Sequence, residues 1–376
     1  MEYIPYGTQY IDDEDIAAVV SVLKSGYLTT GPKIEEFEKA LCEATGSRYA
    51  VAVSSGTAAL HLSMMTMGLE EGDEVILSPL TFAASANCIL YCGGTPVFAD
   101  IDPNTLLMNI EDAEKKITKR TKAIIAVHYG GECCDMEALS ALAEKYGLSL
   151  IQDAAHALGS KVYGKPLGRF NGLQAWSFHP VKTITTGEGG AITTNDENLY
   201  KALRLLRSHG ITRDPGQYER EDEGGWYYEQ LDLGYNYRIT DIQCALGISQ
   251  LKKLEWFSKR RSEIVKRYDE AFVNLPIECQ RSPGWSEPVR HLYTIRVRNA
   301  DDRRLYYDML KTKGLGVNVH YQPVYLLPYY RRLGYKSGLC PNAEDAYSRM
   351  ITIPLYPAMT DDQVEYVIQT IKELFS

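Results

Sequence analysis

The chain has 376 residues, 45% hydrophobic and 24% charged, which is enough to bury a sizeable core in two domains and argues against disorder. A formal net charge of −9, with no Lys/Arg-rich stripe, argues against a nucleic acid as partner. The opening MEYIPYGTQYIDDEDI lacks the basic and apolar regions of a signal peptide, and no eighteen apolar residues run uninterrupted, so a cytosolic protein with no membrane partner is expected.

The first predicted helix spans residues 12–28, capped by Asp12 or Asp13 and stopped by Gly26, and a second covers 34–45. Next comes an alternation of short apolar runs with helices. Tyr49–Val53 precedes a Gly-containing turn and a helix through Met67, and Glu74–Leu77 follows the turn Glu71-Gly72-Asp73. Runs at 95–100, 123–129 and 148–152 continue the rhythm, with a helix over Met136–Tyr146 between the last two. Such a pattern predicts parallel strands buried on both faces. After Leu251 a charged helix over 252–273 leads to shorter elements, among them the strand Tyr293–Val297 and a last helix from Asp361, which read as a smaller α+β domain. The eight cysteines lie mostly in apolar segments without C-x-x-C spacing and are expected to be buried free thiols. Adjacent Cys133 and Cys134 cannot readily supply two tetrahedral ligands, so no metal is expected beside His128 and Asp135.

Three segments carry chemistry. In Ser54-Ser55-Gly56-Thr57-Ala58-Ala59-Leu60, small residues follow a strand and open a helix, so free N–H groups and the Ser55 or Thr57 hydroxyl could receive a phosphate; serine and threonine also cap helices without any ligand. Asp153 ends the apolar run 148–152, which puts an acid at the carboxyl edge of a central strand, where α/β sheets bind ligands. The plain alternative is a helix cap. A buried carboxylate needs a cationic partner, and a protonated pyridine nitrogen is a suitable one. Lys182 lies between apolar residues and a Gly-rich turn in SFHPVKTITTGEGG, where loss of water lowers its proton affinity and frees the amine to condense with an aldehyde. Ser177 precedes it and could donate to the same phosphate. Together these segments supply a phosphate cradle, an acid for a ring nitrogen and an amine for an aldehyde.

The combination SSGTAAL, TFAASAN, DAAHALGS, SFHPVKTITTGEGGAITTN and RSHG resembles the sugar-nucleotide aminotransferases of the DegT/StrS group, within the fold-type I enzymes that use pyridoxal 5'-phosphate (PLP). The resemblance runs over nearly the whole chain. It implies an α/β fold in which a large domain with a mainly parallel mixed sheet covered by helices, preceded by an N-terminal arm, spans residues 1–250, and a small α+β domain spans 251–376. The stretches WYYEQLDLGYNYRITDIQCALGISQL and GVNVHYQPVYLLPYYRRLGY are most similar to the transaminases of pseudaminic acid synthesis, which aminate carbon four of a UDP-linked 4-keto-6-deoxy-N-acetylhexosamine with glutamate as donor.

By that resemblance Lys182 carries the cofactor, Asp153 pairs with its pyridinium, Phe82 stacks on the ring, and Gly56, Thr57 and Ser177 meet the phosphate. His156 stands near the ring oxygen, although a packed and satisfied histidine is an equal account. Asn236 would reach the cofactor phosphate of a neighbouring subunit, making a homodimer part of the site. Tyr6, the turn Gly26-Tyr27-Leu28-Thr29 and the segment Asn318-Val319-His320-Tyr321 would touch the sugar nucleotide. His179, His209 and Glu188 belong to similar motifs but are explained as well by local turn and core roles. Relatives that aminate carbon three, or that use dTDP- or GDP-linked sugars, differ only softly in pattern. The dehydrases of the same fold would carry histidine where this chain has Lys182, and a non-catalytic PLP sensor would not need Lys182, Asp153, Ser177 and Asn236 together.

Overall fold

The computed structural model describes residues 3–221 and 223–375. Seven strands form the central sheet: β1 (Tyr49–Val53), β2 (Glu74–Leu77), β3 (Thr95–Phe98), β4 (Thr121–Val127), β5 (Ser149–Asp153), β6 (Leu173–Ser177) and β7 (Gly190–Thr194). Their spatial order is β1-β7-β6-β5-β4-β2-β3. The five strands β3, β2, β4, β5 and β6 run parallel, whereas β7 is antiparallel to both β6 and β1. The near-continuous apolar sequences of β2 and β4 follow from burial on both faces.

Two of the strands, β6 and β7, carry polar residues that hide them from a hydropathy reading. Gln174 and Thr193 are buried opposite one another, Thr193 Oγ1 donating to Gln174 Oε1 at 2.9 Å while Trp176 Nε1 donates to Thr193. Buried polar groups are tolerated where they satisfy one another.

The first helix, Asp13–Leu23, is shorter than its periodicity predicts. Asp12 caps it by accepting from the N–H groups of Glu14 and Asp15, and Gly26 lies beyond its end rather than at it. Lys253 pairs with Asp12 and Asp15 at 2.8 Å each, tying this helix to the segment that joins Asp241–Leu251 to Leu254–Phe272. A second sheet, with strands Ile277–Cys279, Tyr293–Val297 and Met350–Ile353, is antiparallel. It packs with Leu254–Phe272 and the last helix, Asp361–Phe375, into a separate core around Tyr268, Ile295 and Val367. Ile4 from the start of the chain joins this second core, through a bridge to Leu315, while Val324, Tyr325 and Tyr330 return to the first. That exchange brings residues near positions 6 and 320 over the carboxyl edge of the central sheet.

No described helix is long and apolar enough to cross a membrane. Among the described residues no group of three or more His, Cys, Asp or Glu side chains could hold a metal ion. All eight cysteines are free thiols.

Candidate active site

A cavity of about 600 Å³ opens at the carboxyl ends of the parallel strands. β5 delivers Asp153 from the middle of the sheet, β6 delivers Ser177, and β1 leads into the helix Gly56–Thr66, whose first residues face the same space. Ser55 caps that helix by accepting from Ala58 N at 3.1 Å, which leaves the early N–H groups beside Gly56 and Thr57 without intrahelical partners. A side chain on Gly56 would put Cβ 2.8 Å from Cβ of Ser177, so only glycine lets the helix start approach the serine so closely. These donors form an anion cradle at a positive helix end.

Lys182 sits in the loop between β6 and β7, pinned by Lys182 N donating to His179 O, Phe178 N to Gly189 O and Thr186 N to Phe178 O. No hydrogen bond or ion pair engages its amine among the described residues. Burial pushes its pKa down to about 8, against the pull of Asp153, whose negative charge raises it. Asp153 is buried, and its side-chain hydrogen bonds among the described residues come from neutral donors, Ser85 Oγ at 2.6 Å on Oδ2 and Ala155 N at 3.2 Å on Oδ1. Burial raises its pKa, and Ser85, Ala155 and the charge of Lys182 pull the other way. An anion held by neutral groups, with a side open to the cavity, suits a cationic ligand group.

Phe82 stands exposed at the cavity wall, its ring 6.2 Å from that of Tyr321. His156 is buried, and both its nitrogens are engaged: Gly130 N donates to Nδ1 at 3.3 Å, so the proton is on Nε2, which faces the Tyr321 hydroxyl at 3.2 Å. Burial, with Lys182 and His320 nearby, holds the His156 imidazole well below its usual proton affinity. A neutral, satisfied histidine wedged between the ring of Tyr321 and that of His291 is the arrangement found.

The opposite wall is built by Tyr6, Asn318, Val319, His320 and Tyr321. His320 Nδ1 meets Thr352 Oγ1 at 3.0 Å and Nε2 meets the Asn318 amide at 3.2 Å, while Tyr129 donates its hydroxyl to His320 O. Burial holds the His320 imidazole at about 4. The ring of Tyr6 lies 5.1 Å from that of His320.

Of the seventeen residues that the resemblance places at the site, twelve line this one cavity: Tyr6, Gly56, Thr57, Phe82, Asp153, His156, Ser177, Lys182, Asn318, Val319, His320 and Tyr321. Five do not. Gly26, Tyr27, Leu28 and Thr29 form a turn beside the start of Asp241–Leu251, with a bridge from Thr29 to Thr240 and Tyr27 and Leu28 exposed. Asn236 is bridged to Ser208 on the molecular surface side of that region. His179 and Glu188, set aside from the sequence, also line the cavity, as do Thr81 and Ser85, which lie in TFAASAN but were given no role, and Tyr129 and Trp176, which carried no motif signal. The T-x-x-x-S spacing, with Thr81 ahead of the helix Ala84–Tyr91 and Ser85 in its first turn, is the signal that could have drawn notice to them.

A profile of the DegT/DnrJ/EryC1/StrS aminotransferase family matches residues 9–372. The chain belongs to that family. It is 41% identical over 380 residues to the spore coat polysaccharide biosynthesis protein SpsC of Bacillus subtilis, covering 99% of this chain and 97% of the relative. Among solved structures it matches PseC of Helicobacter pylori, an aminotransferase involved in the biosynthesis of pseudoaminic acid, with 33% identity and a TM-score of 0.92 over 100% of this chain and 99% of that one. It matches Spr1654 of Streptococcus pneumoniae, solved in PLP and PMP forms, with 34% identity and a TM-score of 0.93 over 99% of this chain; 98% of the PLP-form chain is covered. The fold is therefore fold-type I, and the chain is a PLP-dependent sugar aminotransferase.

Proposed function

We propose that this aminotransferase moves the amino group of L-glutamate to carbon four of a UDP-linked 4-keto-6-deoxy-N-acetylhexosamine, giving a 4-amino sugar nucleotide as in pseudaminic acid synthesis. The observation that carries the reading is the convergence of Lys182, Asp153 and the Gly56–Ser177 cradle in a single cavity whose far wall is polar and aromatic. Similarity to PseC supports the sugar class. SpsC, which is more similar in sequence and belongs to polysaccharide synthesis, supports a second reading in which another keto sugar nucleotide is the acceptor.

When bound, PLP supplies an aldehyde and a ring that accepts the electron pair released as a proton leaves carbon. In the proposed site Gly56, Thr57 and Ser177 would hold the phosphate, Phe82 would support the ring and Asp153 would accept from its protonated nitrogen. Lys182 would hold the aldehyde and, with Nζ free, would move protons at the reacting carbons. It takes one from the α-carbon of glutamate in the first half-reaction and delivers one to C4 of the sugar in the second. An amine near pH 8 suits both tasks, since it gains and loses protons readily at neutral pH. His156 and Tyr321 shape the rim over the ring oxygen, and Tyr6 with residues 318–321 receives the sugar nucleotide.

The active assembly in this reading is a homodimer. Asn236 and the turn 26–29 lie outside the lining of the chain's own cavity, and exposed Tyr27, Leu28, Trp226, Leu233 and Tyr235 supply the apolar surface that a second copy would cover. Asn236 would then donate to the phosphate held in the partner's site.

The test is transfer of ¹⁵N from labelled glutamate to the UDP-linked 4-keto sugar, with the product's amine located by NMR. Label on C4 is expected, with dTDP- and GDP-linked ketones reacting far more slowly. Preference for one of those nucleotides, or label on C3, would move the assignment to the second reading.

A further inference from the structure

Beside Asp153, in the wall of the cavity, two hydroxyls are stacked in a line. Ser85 is fully buried and Thr81 nearly so; Thr81 Oγ1 lies 2.6 Å from Ser85 Oγ, and Ser85 Oγ lies 2.6 Å from Asp153 Oδ2. We propose that Thr81 and Ser85 form a one-directional hydroxyl relay that keeps Asp153 ionised and aimed, Ser85 being a positioning residue for the ring nitrogen of the cofactor. The proposal rests on the reading of Asp153 as the partner of that nitrogen.

Counting protons fixes the direction. An ionised carboxylate only accepts, and a serine hydroxyl has a single hydrogen to give. With Asp153 negative, Ser85 spends its hydrogen on Oδ2, so the hydrogen between the two hydroxyls must come from Thr81. The competing acceptor, Phe82 O, lies farther off at 3.2 Å. A separation of 2.6 Å is the length of a charge-assisted O–H···O⁻ bond. Ala155 N occupies Oδ1, so both oxygens are held by neutral donors and the carboxylate cannot swing. Burial favours the neutral acid, and among the opposing influences the bond from Ser85 is the largest.

The local sequence makes this arrangement compact. Thr81 precedes the helix Ala84–Tyr91 and Ser85 lies in its first turn, so they meet four residues apart, and Phe82 between them points to the cavity. Cys88, one turn on, donates its thiol to Ser85 O at 3.2 Å and closes the back of the relay. One short segment thus carries both the ring platform and the support of the acid.

The experiment compares the affinity of the apo-protein for PLP and for 1-deazapyridoxal 5'-phosphate, in which carbon replaces the ring nitrogen, by equilibrium dialysis at pH 7. The unaltered protein should prefer PLP; if it does not, the reading of Asp153 itself fails, and the relay with it. Ser85→Ala should weaken PLP binding about tenfold, the cost of one charge-assisted hydrogen bond, and leave the analogue's affinity unchanged. Ser85→Thr should restore the preference, and Thr81→Val, which leaves Ser85 in place and serves should the alanine variant not fold, should reduce it by less. A preference unchanged in Ser85→Ala and Thr81→Val, or equal weakening of both ligands, overturns the proposal.

Discussion

With Lys182 holding the cofactor as proposed, its proton affinity sets how fast the apo-protein captures PLP, because only the neutral amine attacks an aldehyde. With a pKa of about 8, the buried amine is roughly one tenth neutral at pH 7, whereas an ordinary lysine near 10.4 is neutral in roughly one molecule in 2,500. The site therefore holds roughly 200-fold more reactive amine at neutral pH than a surface lysine would. Asp153 is the one group that raises this pKa against burial. Asp153→Asn removes its charge, so the midpoint should fall below 8 and capture at pH 7 should speed up, by at most about tenfold because the neutral fraction cannot exceed one. Equilibrium affinity for PLP should weaken in the same variant, since the ring nitrogen would lose its proposed partner. The assay mixes apo-protein with PLP across a pH series, traps the adduct with borohydride at timed intervals and weighs the peptide that contains Lys182. A rate in the unaltered protein that keeps climbing to pH 10, or a midpoint that rises in Asp153→Asn, would refute the reasoning.

Gly56→Ala should loosen PLP binding about tenfold by dialysis, because its Cβ would meet that of Ser177 at 2.8 Å and push the cradle open. Tyr321→Phe removes the hydroxyl facing His156 Nε2 and should lower kcat/KM about tenfold, with thermal stability nearly unchanged. Burial holds both His128 and His320 at about 4. Both stay neutral in the fold while the unfolded chain takes up protons, so stability is full above pH 6.5 and is lost as pH falls from there toward 4, by up to about 3 kcal/mol per histidine. Thermal melts of His128→Gln should show a shallower decline over that window; an unchanged slope would reject the assignment. Asn236→Ala should weaken PLP retention while sedimentation still reports a dimer, and unchanged retention would remove Asn236 from the partner's site.

Much of the cavity's lining was legible in the sequence, because the proposed chemistry rests on residue types that are hard to explain otherwise. A lysine inside SFHPVKTITTGEGG and an aspartate ending an apolar strand gave Lys182 and Asp153, and both line the cavity. The far wall, Tyr6 with Asn318 to Tyr321, came from resemblance alone, since nothing local in those segments says that the chain's first residues cross to meet its last third. Thr81, Ser85 and Tyr129 were missed for a physical reason. Their hydroxyls engage other residues, Thr81 meeting Ser85, Ser85 meeting Asp153 and Tyr129 meeting His320 O, and such a hydroxyl looks in sequence like any other buried threonine, serine or tyrosine. In the fold, β6 and β7 were missed because Gln174 and Thr193 interrupt their apolar runs yet satisfy one another in the sheet. The first helix was drawn too long because Gly26 was read as its stop, whereas the helix ends at Leu23.

The central claim is that one lysine, Lys182, holds PLP and serves two half-reactions. Its most direct test is the absorbance spectrum of the protein loaded with PLP, recorded before and after glutamate and again after the UDP-linked 4-keto sugar, with Lys182→Ala alongside. The account predicts a visible band that glutamate bleaches and the keto sugar restores, absent from the folded alanine variant. A band that persists in Lys182→Ala, or no band in the unaltered protein with PLP in excess, would contradict it.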